Sequence, residues 1–111
     1  MKVHHKLIDN LIADERVKKI VVFDGYQWEE VFLPNSNGVW PNKRNLRKAI
    51  IEEVNSGDVC NIAAYRADDT HLGTFFVVTW GVAEDEHVAD YSVGEFTEQH
   101  WKLLETQGVI S

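Results

Sequence analysis

One cysteine, two prolines and seven glycines are all that the 111 residues contain of those types, and the shortage excludes several kinds of protein. Cys60 has no partner for an internal disulfide, so nothing marks an oxidising compartment, and no Cys-x-x-Cys pair exists to hold structural zinc. Scarce Pro and Gly leave little room for linkers, and no repeat or low-complexity tract divides the chain, so it reads as one domain over residues 1–111. The glycines stand singly at turn positions, with no fingerprint for cradling a nucleotide phosphate. No run of about twenty apolar residues is present for a membrane span. The start, Met1-Lys2-Val3-His4-His5, leads into a stretch broken by Asp9, Asn10 and Asp14, unlike a secretory signal. A cytoplasmic protein is expected. No His-Glu-x-x-His segment occurs, and Ser36, Ser56, Ser92 and Ser111 lie in no nucleophile-elbow context.

A second scarcity is local. Between Ala67 and Trp101 there is no Lys or Arg, while Asp68, Asp69, Glu84, Asp85, Glu86, Asp90, Glu95 and Glu98 fall there. Residues 1–56 carry nine basic and eight acidic side chains, a net of +1; residues 57–111 carry two and ten, a net of −8, which together make the −7 of the whole chain. A direct nucleic-acid binder needs cations for phosphates, and this half has almost none.

What is present reads as alternating helix and strand signals. Leu7, Ile8, Leu11 and Ile12 make one helical stripe over about His4 to Asp14. Asp24-Gly25 stands between two β-favouring runs, Lys18 to Phe23 and Tyr26 to Leu33, a strong hairpin signal. A two-residue turn sets Phe23 opposite Tyr26, Val21 opposite Trp28 and Lys19 opposite Glu30. Pro34 to Gly38 is a turn-rich loop, and Asn42 caps a helix over about Lys43 to Asn55, with Leu46, Ala49, Ile50 and Val54 toward the core. Strands follow at Val59 to Arg66, Thr74 to Val82 and His87 to Val93. Thr97 caps a last helix that runs to Gln107 and stops at Gly108, with Phe96 and Trp101 placed as a hydrophobic staple. The order α-β-β-α-β-β-β-α predicts an α+β fold: one antiparallel sheet of four to five strands, three helices mainly on one face.

Two constellations carry candidate chemistry. Asp68, Asp69 and His71 fall in the loop after the third strand, and Glu84, Asp85, Glu86 and His87 in the loop after the fourth. Glu86, His87 and Asp90 have the oxygen and imidazole groups to hold a divalent ion, so a small metal-dependent enzyme at the His71 or His87 neighbourhood is one reading. The loops are expected at opposite ends of a hairpin, which separates the ligands, and neither metal nor cofactor is assigned. The other reading is a protein–protein surface. Tyr26, Trp28 and Trp40 are aromatic anchors of the kind interfaces favour, and Glu84, Asp85, Glu86, Asp90, Asp68 and Asp69 supply an acidic face. Lys43, Arg44, Arg47 and Lys48 of the second helix are expected to pair with that acidic half. The general look is that of small inhibitors and immunity proteins, such as phage proteins that block host defence or proteins that neutralise toxins. Such an acidic face mimics nucleic acid and docks on the basic groove of a partner. A homo-oligomeric accessory subunit, dimerising through the Tyr26-Trp28-Phe32 face, is the remaining alternative. On this reading the chain is not an enzyme.

Overall fold

Leu7, Ile8, Leu11 and Ile12 lie on helix α1, Val3–Ala13, and all four are buried. Their 3.6-residue spacing turns one stripe of the helix onto a sheet, and the exposed Ala13 and Glu15 mark where that stripe ends. In the computed structural model, which describes residues 3–24, 28–56, 59–78 and 87–93, α1 is followed by β1 (Lys19–Phe23), β2 (Glu29–Phe32), α2 (Lys43–Ser56), β3 (Val59–Tyr65), β4 (His71–Val78) and β5 (His87–Val93). The sheet order is β2-β1-β3-β4-β5, every neighbouring pair antiparallel. This is the expected α+β fold with a single antiparallel sheet. The last helix, expected over Thr97 to Gln107, lies outside the described residues.

Alternation along the strands sorts the two faces. Ile20 and Val22 of β1, Cys60, Ile62 and Ala64 of β3, and Phe75 and Val77 of β4 share one face and form the core with both helices. Ile50 and Val54 bring α2 onto it, with Leu46 and Ile51 packed at its margin. The opposite face carries Lys19, Val21, Phe23, Glu29, Val31, Asn61, Ala63, Tyr65, Thr74 and Phe76 by register. At the start of β4 the pairing slips: Ala64 faces Gly73 but Tyr65 faces His71. The residue between, Leu72, has no opposite number and is fully buried in the core. A bulge of this kind re-aims one side chain without ending the strand.

The first hairpin forms, but with a register different from the expected one. Phe23 faces Glu29, Val22 faces Glu30, Val21 faces Val31 and Ile20 faces Phe32. Asp24 explains the change. Its N–H donates to the Trp28 carbonyl at 3.3 Å, and its carboxylate accepts the Trp28 N–H at 3.2 Å. The closure at 24 and 28 leaves residues 25–27 as the connection, one residue longer than the tight turn that Asp-Gly suggests. The resulting slip is by an odd number of positions, so every β2 side chain changes face. Trp28 and Phe32 thereby pack against the core instead of standing outside it.

Two loop devices fix the ends nearest α2. Asn35 accepts the N–H groups of Asn37 and Val39 through its side chain, each at 3.0 Å, and Gly38 sits at φ +73°, where a side chain would be strained. Asn42 caps α2 as expected, its side-chain oxygen accepting the Asn45 N–H at 3.0 Å.

Candidate binding surfaces

The strand register decides which sequence candidates share a neighbourhood. Lys19 pairs with Tyr65, and Tyr65 with His71, so the β3–β4 turn with Asp68 and Asp69 lies at one end of the sheet. Phe23 pairs with Asn61, and Val78 with both Val59 and His87, so Asp24, the end of β4 and the start of β5 lie at the other end. β4 has eight residues, which at about 3.3 Å each separates the two ends by roughly 25 Å. Asp68 and Asp69 therefore lie at the opposite end of the sheet from the start of β5 at His87. Tyr26, Glu84, Asp85 and Glu86 lie outside the described residues. Asp90 falls in β5, where Phe75 faces Tyr91 and Phe76 faces Ala89, so Asp90 is the residue skipped by the pairing.

Asp68 and Asp69 are held within their own turn. The Arg66 N–H donates to the Thr70 carbonyl at 2.9 Å and the Asp69 N–H to the Arg66 carbonyl at 3.0 Å. Asp68 accepts both the Thr70 N–H, at 3.0 Å, and the Thr70 hydroxyl, at 2.6 Å. Those bonds, the hydroxyl's first, hold its carboxyl below the ordinary value of 3.8. Asp69 adopts φ +68° and accepts from Lys19 at 2.6 Å. The Lys19 ammonium lies 4.6 Å from the centre of the Tyr65 ring, and its pKa is raised, chiefly by the bond to Asp69. Both acids thus have structural work at the turn, in addition to their exposure.

The histidine sites separate in the same way. His71 is the first residue of β4, not a loop residue as expected, and its Nε2 lies 2.7 Å from the Thr74 hydroxyl, with the ring beside Tyr65. The tight turn at 66–70 explains the shift, because it closes soon enough for the strand to begin at 71. His87 opens β5 at the far end of the sheet, so the two histidines cannot share a ligand. Among the described residues, no three His, Cys, Asp or Glu side chains gather to hold a metal ion. Cys60 is buried, and burial pushes its thiol from 9.0 up to about 12, which leaves it protonated and unreactive.

The aromatic candidates are reassigned by burial. Trp40 is only 7% exposed and belongs to the core, although its place beside Pro41 in a turn-rich stretch suggested an exposed anchor. It joins a core to which α1 and the strands contribute from far off in sequence, a long-range effect that no local pattern carries. Trp28 is half-buried against the same core. The proposed dimer face of Tyr26, Trp28 and Phe32 therefore loses two of its three residues to the protein's own interior.

The cations of α2 also depart from expectation. Arg47 Nε donates to Asp9 of α1, not to an acid of residues 57–111. Lys43, Arg44 and Lys48 are exposed and make no ion pair among the described residues. On the sheet face away from the helices, Lys19, Val21, Phe23, Glu29, Val31 and Tyr65 line a shallow groove of about 350 Å³. Val31 there is 42% exposed. Among the described residues no helix is long and apolar enough to cross a membrane. Against protein-family models, curated proteins and solved structures alike, the chain finds no match.

Proposed function

We propose that this chain is a small protein-binding neutraliser, an acidic domain that docks on a basic, nucleic-acid-binding surface of a partner protein and occludes it. The observation that carries the reading is the charge partition. Eight acids and no Lys or Arg lie between Ala67 and Trp101, in a chain of net charge −7. Asp69 is paired with Lys19, but a stretch with no cation of its own leaves like charges to repel one another, which helps only solubility or a basic partner. The contact is assigned to the acidic stretch Glu84, Asp85 and Glu86, with Asp90 of β5 four residues further along the chain. By register Asp24, after β1, lies at the end of the sheet where β4 stops and β5 starts. Asp68 and Asp69 are not assigned to the contact, since they are engaged by Thr70 and Lys19 at the opposite end of the sheet from His87. The protonated Cys60 thiol and the separation of His71 from His87 favour binding over catalysis.

Capture on the immobilised chain at low and at elevated salt, followed by reconstitution with the purified captured protein, tests the proposal. A basic partner should lose its nucleic-acid binding when the chain is added in stoichiometric amount. Association should slow as salt rises, because exposed charges are screened beyond about 8 Å at physiological ionic strength. Converting Glu84, Asp85, Glu86 and Asp90 to Lys should remove the inhibition, while reversing Arg44 and Lys48 should spare it. The proposal fails if the partner still binds nucleic acid in the complex, or if the helix variant, and not the acidic one, loses the effect.

A further inference from the structure

At the end of the molecule where α1 stops and α2 begins, the core opens into a pocket of about 140 Å³, room for about five waters at roughly 30 Å³ each. Ile12, Ala13, Val39 and Trp40 give it apolar lining. Trp40 is 7% exposed, yet its indole Nε1 is buried and makes no hydrogen bond. Buried N–H groups are nearly always paired, so an orphan beside a pocket points to an acceptor that arrives from outside. The charged rim narrows the class of that acceptor. Asp14 is cancelled by Arg16, which donates to it through Nε at 3.0 Å and Nη2 at 2.6 Å. Lys18 donates to the Gly38 carbonyl at 2.9 Å and keeps two further N–H groups. Lys43 and Glu15 are exposed at the rim, Lys43 making no ion pair among the described residues. The helix ends that meet there carry opposite partial charges and offset one another, which leaves two ammonium groups against one carboxylate, a local net of +1.

We propose that this pocket binds a small monoanionic carboxylate with a short apolar tail. The carboxylate sits between Lys43 and Lys18 and accepts the Trp40 indole N–H, and the hydrocarbon lies against Ile12, Ala13 and Val39. The Nε1–H has no accessible surface, so seating the carboxylate requires Trp40 to shift within the core. A local charge of +1 matches a carboxylate better than a phosphate, which carries about −1.5 to −2 at neutral pH.

The probe is sodium butyrate, titrated into the ¹⁵N-labelled full chain to tens of millimolar against matched sodium chloride, with inorganic phosphate in a parallel arm. The Trp40 indole N–H signal, identified by its loss in Trp40→Phe, should shift saturably with butyrate. Lys43→Gln, an exposed change that leaves the core intact, should weaken binding at least tenfold. Phosphate should bind more weakly than butyrate. An indole signal that chloride moves as far as butyrate does overturns the proposal. So does unchanged affinity in Lys43→Gln, or tighter binding of phosphate than of butyrate.

Discussion

Replacing Ile62 and Val31 separately by Ala tests whether the helices cover one face of the sheet and leave the other thinly covered. Ile62 is 0% exposed at the centre of β3, with Val22 and Phe75 as its lateral partners on the helix side. Ile→Ala removes three carbons, about 2.4 kcal/mol at ~0.8 kcal/mol each. A residual void of about 50 Å³ adds roughly 1.2 kcal/mol at ~24 cal/mol per Å³, a total near 3.5 kcal/mol. Val31 lies on the other face and is 42% exposed. Removing its two carbons costs about 1.6 kcal/mol scaled by the buried fraction, or roughly 0.9 kcal/mol, with no closed void left behind. Urea unfolding followed by tryptophan fluorescence reads both. At an m-value of about 1.5–2 kcal/mol/M, Ile62→Ala should lower the midpoint by roughly 2 M and Val31→Ala by about 0.5 M. Equal losses would refute the one-sided architecture, because they would mean that Val31 is packed as closely as Ile62. A midpoint shift in Ile62→Ala below about 0.7 M would refute the core assignment itself.

Other expectations follow from single contacts. Asn42→Ala should cost about 1 kcal/mol, read by thermal or urea unfolding, since the Asn45 N–H loses its acceptor; no loss would show that the cap contributes nothing. Asp69→Val should destabilise by about 1–2 kcal/mol because a β-branched residue resists φ +68°, whereas Asp69→Gly should fold as well as the parent. Asp68 has a depressed pKa in the fold, so its contribution is present above the unfolded value and lost as pH falls through the lower folded value. Asp68→Asn should flatten the acid side of the stability profile, and an unchanged slope below about pH 4 would count against the Thr70 bonds as its cause. Cys60 has the opposite sign: its pKa is raised to about 12, so its contribution is complete below 9.0 and lost as pH climbs toward 12. Alkylation by iodoacetamide at pH 8 should be slow in the folded chain and rise to the rate of a free thiol in urea; a fast reaction without urea would contradict the burial.

The helices were legible because their signals are local. The Leu7-Ile8-Leu11-Ile12 stripe and the Asn42 cap each lie within one or two turns, and both appear where the spacing places them. The hairpin was legible in kind but not in register. Asp24 was read as a turn residue, while in the fold it closes the loop from outside by binding Trp28. His71 and Leu72 escaped notice as strand because the bulge at Leu72 breaks the two-residue alternation on which strand reading depends. Trp40 and Arg47 were misread for a common reason. Trp40 joins a core built largely by α1 and the strands, distant in sequence, and the Asp9 partner of Arg47 is 38 residues away, so no short window around either residue contains the whole cause. The acidic stretch behaves differently: its lack of cations is a property of the sequence itself, but where its charges act depends on the sheet order.

That order has a kinetic consequence. β1 with β2, β3 with β4, and β4 with β5 are neighbours both in the chain and in the sheet, and each pair can zip from its own turn within microseconds. The β1–β3 ladder is the exception, since Phe23 and Asn61 stand 38 apart in sequence and α2 lies between them. Closing that long loop costs conformational entropy before any of its contacts reward it. The step that joins the first hairpin to the three-stranded remainder should therefore limit the rate of folding. Substitutions at Val22 and Ile62, where the ladder meets the core, should slow refolding more than those within β4, and preformed α2 should speed it by shortening the effective loop.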